Sequence, residues 1–151
     1  MRQTGTEAPT NLRLKGIIVC DGLLRLCRLA SDNFGNDLDR FVVYLAVISA
    51  GASHFQRDPK LRSRYAGEEP LPDDLRLGIS RRAIADSVGL PRETVRRKIA
   101  GLIAEGHVVE EGGLVKARGP VVEQGRNQEF LIAALKEFAR TADDLRRADK
   151  D

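Results

Sequence analysis

The chain has 151 residues, of which 42% are hydrophobic and 31% are charged. This length suits one packed domain with short extensions, and the composition excludes a wholly disordered chain. Aromatic residues make up only 5%, which argues against recognition of single-stranded nucleic acid by aromatic stacking. The net charge of +3 fits a polyanionic partner but does not require one.

The first segment, residues 1–11, is polar and is expected to form a flexible tail. It lacks the apolar centre of a signal peptide. The longest apolar run, residues 41–52, is too short to span a bilayer. We therefore expect a cytoplasmic protein that does not associate with membranes.

Residues 12–36 are rich in apolar side chains and predict an N-terminal helical extension, either one helix or two shorter ones. Cys20 and Cys27 would lie on one face of such a helix, about 10 Å apart along its axis. That separation is too large for a disulfide within the chain. We expect two small core residues in a reducing compartment, while a redox switch or an intermolecular bridge stays open.

Residues 37–119 are expected to form the main domain. Its first segment, about 37–54, is apolar nearly all round, which is typical of a buried helix. Residues 56–74 are charged and contain three prolines, so we expect a long loop there. In residues 75–79 apolar side chains alternate with others, a pattern that favours a short strand.

Two short helices joined by a glycine turn are predicted next. Ser80 is a good N-cap for a helix over residues 81–88. Gly89 permits the left-handed conformation that ends many helices. Pro91 is expected in the first turn of a second helix over residues 91–105, because a proline there sacrifices no hydrogen bond.

Residues 107–118 predict a two-stranded hairpin, since apolar pairs flank a turn that contains Gly112 and Gly113. The last segment, residues 120–151, is expected to contain a long amphipathic helix over 127–149. Its apolar residues repeat at spacings of four and three: Leu131, Leu135, Phe138, Ala142 and Leu145. Such a seam requires a partner helix, either from a second copy or from the N-terminal extension, and we expect a homodimer through the terminal helices.

The second helix of the pair has two distinct faces. Apolar residues at helical spacing would anchor one face to the core: Val95, Ile99, Leu102 and Ile103. Glu93 and Arg97 point away from that face. Arginine binds guanine with two hydrogen bonds, and a carboxylate accepts a hydrogen bond from the cytosine amino group. Glu93 and Arg97 are therefore placed to read bases in double-stranded DNA. Arg92 falls nearer the apolar side, but in the first turn it can project past the end of the helix.

The remaining predicted contacts are to the DNA backbone, which positions a protein without specifying sequence. The residues expected at phosphates are Ser80, Thr94, Arg96 and Lys98. On the outgoing strand of the hairpin, Lys116 and Arg118 are placed to reach the backbone or the minor groove. Glu110 and Glu111 oppose DNA at the hairpin tip, which argues against deep insertion of the hairpin.

Residues 80–97, SRRAIADSVGLPRETVRR, resemble the helix-turn-helix of the catabolite-activator (Crp/Fnr) family of bacterial transcription regulators. The resemblance implies a mainly α fold with a small β-hairpin wing, that is, a winged helix-turn-helix. It also implies that Arg92, Glu93 and Arg97 read base edges, and that Arg81 and Thr94 contact phosphates while Ser80 caps the first helix. It covers at most residues 37–119 and is strong only over 80–113.

The family's cyclic-nucleotide domain has no counterpart in this sequence, so we do not carry over cyclic-nucleotide control and expect no cofactor. Stand-alone winged-helix regulators of the MarR type, which dimerise through terminal helices, are similar in layout. The overall prediction is a sequence-specific transcription regulator that binds an inverted repeat. Nothing in the sequence marks a pocket for an effector.

The sequence supports other classes of function less well. His54 and His107 are the only histidines, so no Cys/His cluster for zinc is formed. No phosphate-binding glycine loop or Ser-His-Asp pattern indicates an enzyme. The open alternatives are a winged helix used for protein–protein contacts and a DNA-binding protein of the replication or partition type.

Overall fold

The computed structural model describes residues 9–67, 71–119 and 125–150. Within these ranges the chain forms seven α-helices and a small antiparallel sheet of three strands. The helices are α1 (Leu12–Asn33), α2 (Leu38–Gly51), α3 (Ser53–Arg57), α4 (Pro59–Tyr65), α5 (Arg81–Val88), α6 (Arg92–Ala104) and α7 (Gly125–Ala148). The strands are β1 (Ile79–Ser80), β2 (Val108–Glu111) and β3 (Leu114–Ala117). The prediction of a mainly helical fold with a small β element is confirmed at this level.

The core of residues 37–119 lies between α2, α5, α6 and the sheet. Its largest fully buried side chains come from these elements alone: Val43, Val47, Ile84, Val95, Ile99, Leu102, Val108 and Val115. The helix expected near residues 37–54 is α2, but it is not buried all round, because Leu38 and Leu45 are 40% and 42% exposed. Asp37 begins it, because its carboxylate accepts a hydrogen bond from the Arg40 N–H at 2.9 Å.

The sheet has the strand order β1–β3–β2, with both pairings antiparallel. Gly112 and Gly113 join β2 to β3 with φ angles of 57° and 75°, as a tight two-residue hairpin turn requires. The hairpin is therefore confirmed. The sequence did not predict that Ile79 would pair with Val115 and make β1 a third strand.

The predicted loop over residues 56–74 is wrong in part. Residues 59–65 form α4, and a short 3-10 helix spans Asp73–Leu75. Asp58 accepts hydrogen bonds from the N–H groups of Lys60 and Leu61, so Pro59 lies in the first turn of a capped helix, where proline is favoured. The strand expected over 75–79 shrinks to Ile79–Ser80. Residues 68–70 lie outside the described residues.

The two extensions pack against each other as an antiparallel pair. α1 is one unbroken helix, and Arg25 on it donates to the Glu137 carboxylate on α7 at 2.5 Å. At the other end, the Asn11 side chain donates to the Ala148 carbonyl at 3.1 Å. Asn11 is therefore held in place, although it was expected in the flexible tail; residues 1–8 of that tail lie outside the described residues.

The expectation that Cys20 and Cys27 are core residues is wrong, because both side chains are exposed free thiols. α1 buries a different face, on which Gly22 and Ala30 lie. The α7 helix matches the predicted helix over 127–149, while residues 120–124 and 151 lie outside the described residues. None of the helices is sufficiently long and apolar to cross a membrane, for the residues described.

Candidate nucleic-acid interface

α5 begins and ends where the sequence predicted. The Ser80 hydroxyl accepts a hydrogen bond from the Ala83 N–H at 3.1 Å, which caps the first turn. Gly89 has a φ of 69°, and its N–H donates to the Ala85 carbonyl at 2.9 Å. Both local signals therefore act as expected and fix the turn that leads to α6.

α6 starts one residue later than expected. Pro91 precedes the helix with a ψ of 142° instead of lying in its first turn, and its carbonyl accepts the first helical hydrogen bond from the Val95 N–H. Val95, Ile99 and Leu102 are completely buried and anchor the helix. Ile103, predicted to share that face, lies at its margin and is 38% exposed.

The opposite face of α6 is exposed and basic. Glu93 and Arg97 lie on this face, with Arg96 on its flank and Arg92 in the first turn, and all four side chains are exposed. The three predicted base readers are therefore all accessible from outside. Arg92 and Arg97 form no ion pair with any residue that the structure describes. Their guanidinium groups are therefore available to an external acceptor. Ala100, on the same side, is small and exposed.

Glu93 and Arg96 bind each other across one helical turn. The guanidinium donates two hydrogen bonds to the carboxylate, at 2.6 and 2.9 Å. These bonds lower the pKa of Glu93, and the carboxylate raises the pKa of Arg96. A predicted base reader and a predicted phosphate contact thus neutralise each other in the free protein.

Arg81, predicted to contact phosphate, is paired in the same way. Its guanidinium lies 2.5 Å from the Glu110 carboxylate on β2. The Arg81 side chain keeps 44% of its surface exposed, so it remains accessible. Since Glu110 is 29 residues further along the chain, no local sequence signal predicts this pair.

Lys98 is drawn towards α2 rather than towards the exposed face. Its ammonium group lies 2.8 Å from the Asp37 carboxylate, and only 25% of the Lys98 side chain is exposed. Burial opposes ionisation of Asp37, but the hydrogen bonds from Lys98 and from the Arg40 N–H outweigh it and lower the pKa of Asp37. Asp37 thus caps α2 and holds α6 at the same time. Thr94 is half-buried on the same flank of α6.

The predicted hairpin contacts lie on and just beyond β3. Lys116 is half-buried, with its ammonium group 3.6 Å from the Glu111 carboxylate. Arg118 is exposed, and its backbone N–H donates to the His107 carbonyl at 3.0 Å. The hairpin surface therefore mixes both signs of charge, whereas the exposed arginines concentrate on α6.

A polar cluster at the C-terminal end of α6 was missed by the sequence reasoning. Glu105 pairs with Arg40 of α2, and His107 Nε2 lies 3.4 Å from the same carboxylate. The bond from Arg40 lowers the pKa of Glu105. Beside this cluster is a cavity of about 330 Å³, lined also by Phe34 and Asn127. Its residues come from four separate parts of the chain, so no local pattern could reveal it.

Comparison with models of protein families, with curated proteins and with solved structures finds no match to this chain.

Proposed function

We propose that the protein is a sequence-specific regulator of transcription that binds double-stranded DNA by inserting α6 into the major groove. In this proposal α2, α5, α6 and the β2–β3 hairpin form a winged helix-turn-helix. One observation carries it. α6 is fixed to the core by a fully buried face, while Arg97 on the opposite face and Arg92 in the first turn are exposed and have no ion-pair partner among the described residues.

This arrangement supports base recognition because a rigid helix of this width fits the major groove. Arg97 extends opposite the buried face, where it can donate two hydrogen bonds to guanine. Arg92 lies in the first turn and reaches past the end of the helix. Ala100 would not hold the helix away from the groove. Glu93 is the proposed acceptor for cytosine, once Arg96 turns to a phosphate.

Contacts to the sugar–phosphate backbone are assigned to groups at the edges of this surface. Arg81 and Arg96 keep enough exposed surface to exchange their carboxylate partners for phosphates. The Ser80 and Thr94 hydroxyls lie at the starts of α5 and α6, where free N–H groups favour anions. Lys98 is the weakest candidate, because Asp37 already binds it. Lys116 and Arg118 would follow the backbone beside the groove.

Two copies are proposed to bind an inverted repeat, with their α6 helices in successive major grooves about 34 Å apart. The terminal helices α1 and α7 would join the copies. A helix used for protein–protein contacts would instead carry apolar anchors on its exposed face. On α6 that position is occupied by arginines and a glutamate, which favours DNA.

The test is selection from a pool of random duplex DNA, with sequencing, at two salt concentrations. We expect enrichment of a palindromic motif whose affinity falls steeply with salt. Arg97→Ala should then weaken binding to that motif by roughly 5- to 150-fold, equivalent to about 1–3 kcal/mol. Arg140→Ala is the matched control, because Arg140 is exposed on α7 and its substitution removes the same charge.

A second pair of variants separates readers from backbone contacts. Glu93→Gln should change which base is preferred at one position, while Arg81→Ala should weaken all sequences about equally. No enrichment from the pool, or equal losses for Arg97→Ala and Arg140→Ala, would refute the proposal. The alternative, a winged helix used for protein–protein contacts, would then be favoured.

A further inference from the structure

The pair formed by α1 and α7 leaves large apolar side chains in water. Leu23 on α1 is 57% exposed, and Leu135 and Phe138 on α7 are 59% and 62% exposed. Leu12, Val19 and Leu131, on the same two helices, are between 39% and 55% exposed. Scattered exposed leucines are ordinary, but a contiguous patch of them marks an interaction site.

These side chains lie on the same side of the helix pair. Gly22 faces α7, since a Cβ there would lie 2.6 Å from Thr141 Oγ1. Counted at about 100° per residue from Gly22 and from Thr141, these six residues are rotated by about 60–120° in the same sense. Because the helices run antiparallel, equal rotations bring both sets to one face, which we call the apolar face. The other exposed apolar residues of the two helices lie outside this sector, at about 180–280°: Leu14, Ile17, Leu24 and Ile132.

Both halves of the apolar face follow the spacing of a helical bundle. On α1 the positions are separated by four, three, four and three residues: Leu12, Gly16, Val19, Leu23 and Leu26. On α7 they are Leu131, Leu135, Phe138, Ala142 and Leu145. No charged residue of α1, or of residues 127–148 of α7, falls in this sector by the same count. A repeat averaging 3.5 residues is the seam by which helices pack together in coiled coils and four-helix bundles.

We propose that the apolar face binds the same face of a second copy, so that two α1–α7 pairs form a four-helix bundle. An antiparallel helix pair with one apolar seam on each helix is half of such a bundle, and a twofold axis supplies the other half. Six half-exposed side chains present on the order of 600 Å² per protomer, close to the about 800 Å² that each partner buries in a standard interface. The absence of charge from this sector fits the centre of a homodimer interface.

The bundle would also position the DNA-binding surfaces, and this consequence rests on the proposed function. α1 leads into α2 through only residues 34–37, and Asp37 at the end of that turn binds Lys98 of α6. Pairing of the apolar faces would therefore determine the positions of the two α6 helices relative to each other. Self-association itself does not depend on DNA binding.

The test is sedimentation equilibrium of the full chain at micromolar concentrations without DNA. We expect a dimer, and we expect Leu23→Glu to raise its dissociation constant roughly 100-fold or more by placing a charge in each half of the interface. Leu24→Glu is the matched control. Leu24 is the next residue, is 69% exposed and points away from the apolar face. This variant should remain dimeric, and circular dichroism should show both variants folded.

The outcomes separate this proposal from DNA binding. A monomeric wild type, or equal disruption by Leu23→Glu and Leu24→Glu, would overturn the dimer even if single DNA half-sites were selected. A wild-type dimer that selects no DNA would overturn only the proposed function. If the wild type were monomeric and floated with vesicles of anionic phospholipid, a membrane surface would be the occupant instead, which also overturns the dimer.

Discussion

The two regions of the molecule bury different kinds of residue. In α2, α5, α6 and the sheet, the fully buried side chains are large, such as Ile84, Ile99 and Leu102. In the α1–α7 pair, the buried residues are small ones: Gly22, Ala30, Ala134 and Ala148. Small residues let the two helices approach closely but leave the large ones outside. The region formed by α2, α5, α6 and the sheet therefore buries its large apolar side chains in its own core. The α1–α7 pair instead leaves most of its large apolar side chains exposed.

The largest test of this difference compares two leucines. Leu102→Ala should lower the free energy of unfolding by about 2–5 kcal/mol, because it leaves a cavity in a closed core. Leu135→Ala should cost less than about 0.5 kcal/mol in the monomer, since little burial is lost. Urea unfolding at low and high protein concentration measures both. Equal costs at low concentration would show that the two regions do not differ as described.

The contact between α1 and α7 can be tested at Gly22. In Gly22→Ala the new methyl meets Thr141, and overpacking of this kind costs about 1–3 kcal/mol. The higher helix propensity of alanine offsets about 1 kcal/mol of this cost. We therefore expect the free energy of unfolding, measured by thermal unfolding, to fall by about 1 kcal/mol. Gly22→Ala combined with Thr141→Ala should recover that loss. A single variant as stable as the wild type would mean that the helices are not so close.

The link between α2 and α6 depends on the ionisation of Asp37. Because the folded pKa is lowered, its contribution to stability is present above the unfolded value near 4 and is lost as the pH falls through the folded value. Asp37→Ala should cost about 1 kcal/mol at neutral pH through loss of the cap. Asp37→Asn keeps a capping side chain and should cost less, with weaker pH dependence below about pH 4. Unfolding curves at neutral and acidic pH measure this dependence. The prediction is contradicted if the free energy of unfolding of Asp37→Asn changes with pH as steeply as that of the wild type.

The smallest expected effect on stability is at the exposed face of α6. Arg96→Ala removes an exposed pair with Glu93 at one-turn spacing, which contributes about 0.2–0.5 kcal/mol to a helix. Its effect on affinity for the selected DNA should be larger than its effect on unfolding. Both effects should be measured on the same variant. A large loss of stability with unchanged DNA affinity would show that Arg96 stabilises the fold and does not contact DNA.

Sequence reasoning succeeded where the signal was local. Ser80 and Gly89 set the ends of α5 through hydrogen bonds within four residues, so their types alone predicted the structure. The same kind of signal was present for α4. Asp58 followed by Pro59 starts a helix, but its charged, proline-containing surroundings are also typical of a loop.

The errors and omissions concern partners that are far apart in the chain. α1 is apolar on several faces, so its sequence could not show which face meets α7, and Cys20 and Cys27 were placed on the wrong side. The ion pairs Arg81–Glu110, Lys98–Asp37 and Arg40–Glu105 each join separate elements. For the candidate site, sequence predicted which residues share an exposed surface, but not which of them are already neutralised.

That neutralisation has a consequence for the thermodynamics of the proposed complex. When a free arginine meets a phosphate, a condensed counterion leaves the DNA, and the logarithm of affinity falls with the logarithm of salt by about 0.9 per phosphate. Arg81 and Arg96 must first leave Glu110 and Glu93, and those carboxylates then attract cations from solution. Each such exchange lowers the net number of ions released on binding. The slope of affinity against salt should therefore correspond to fewer phosphates than the number that the protein contacts in the complex.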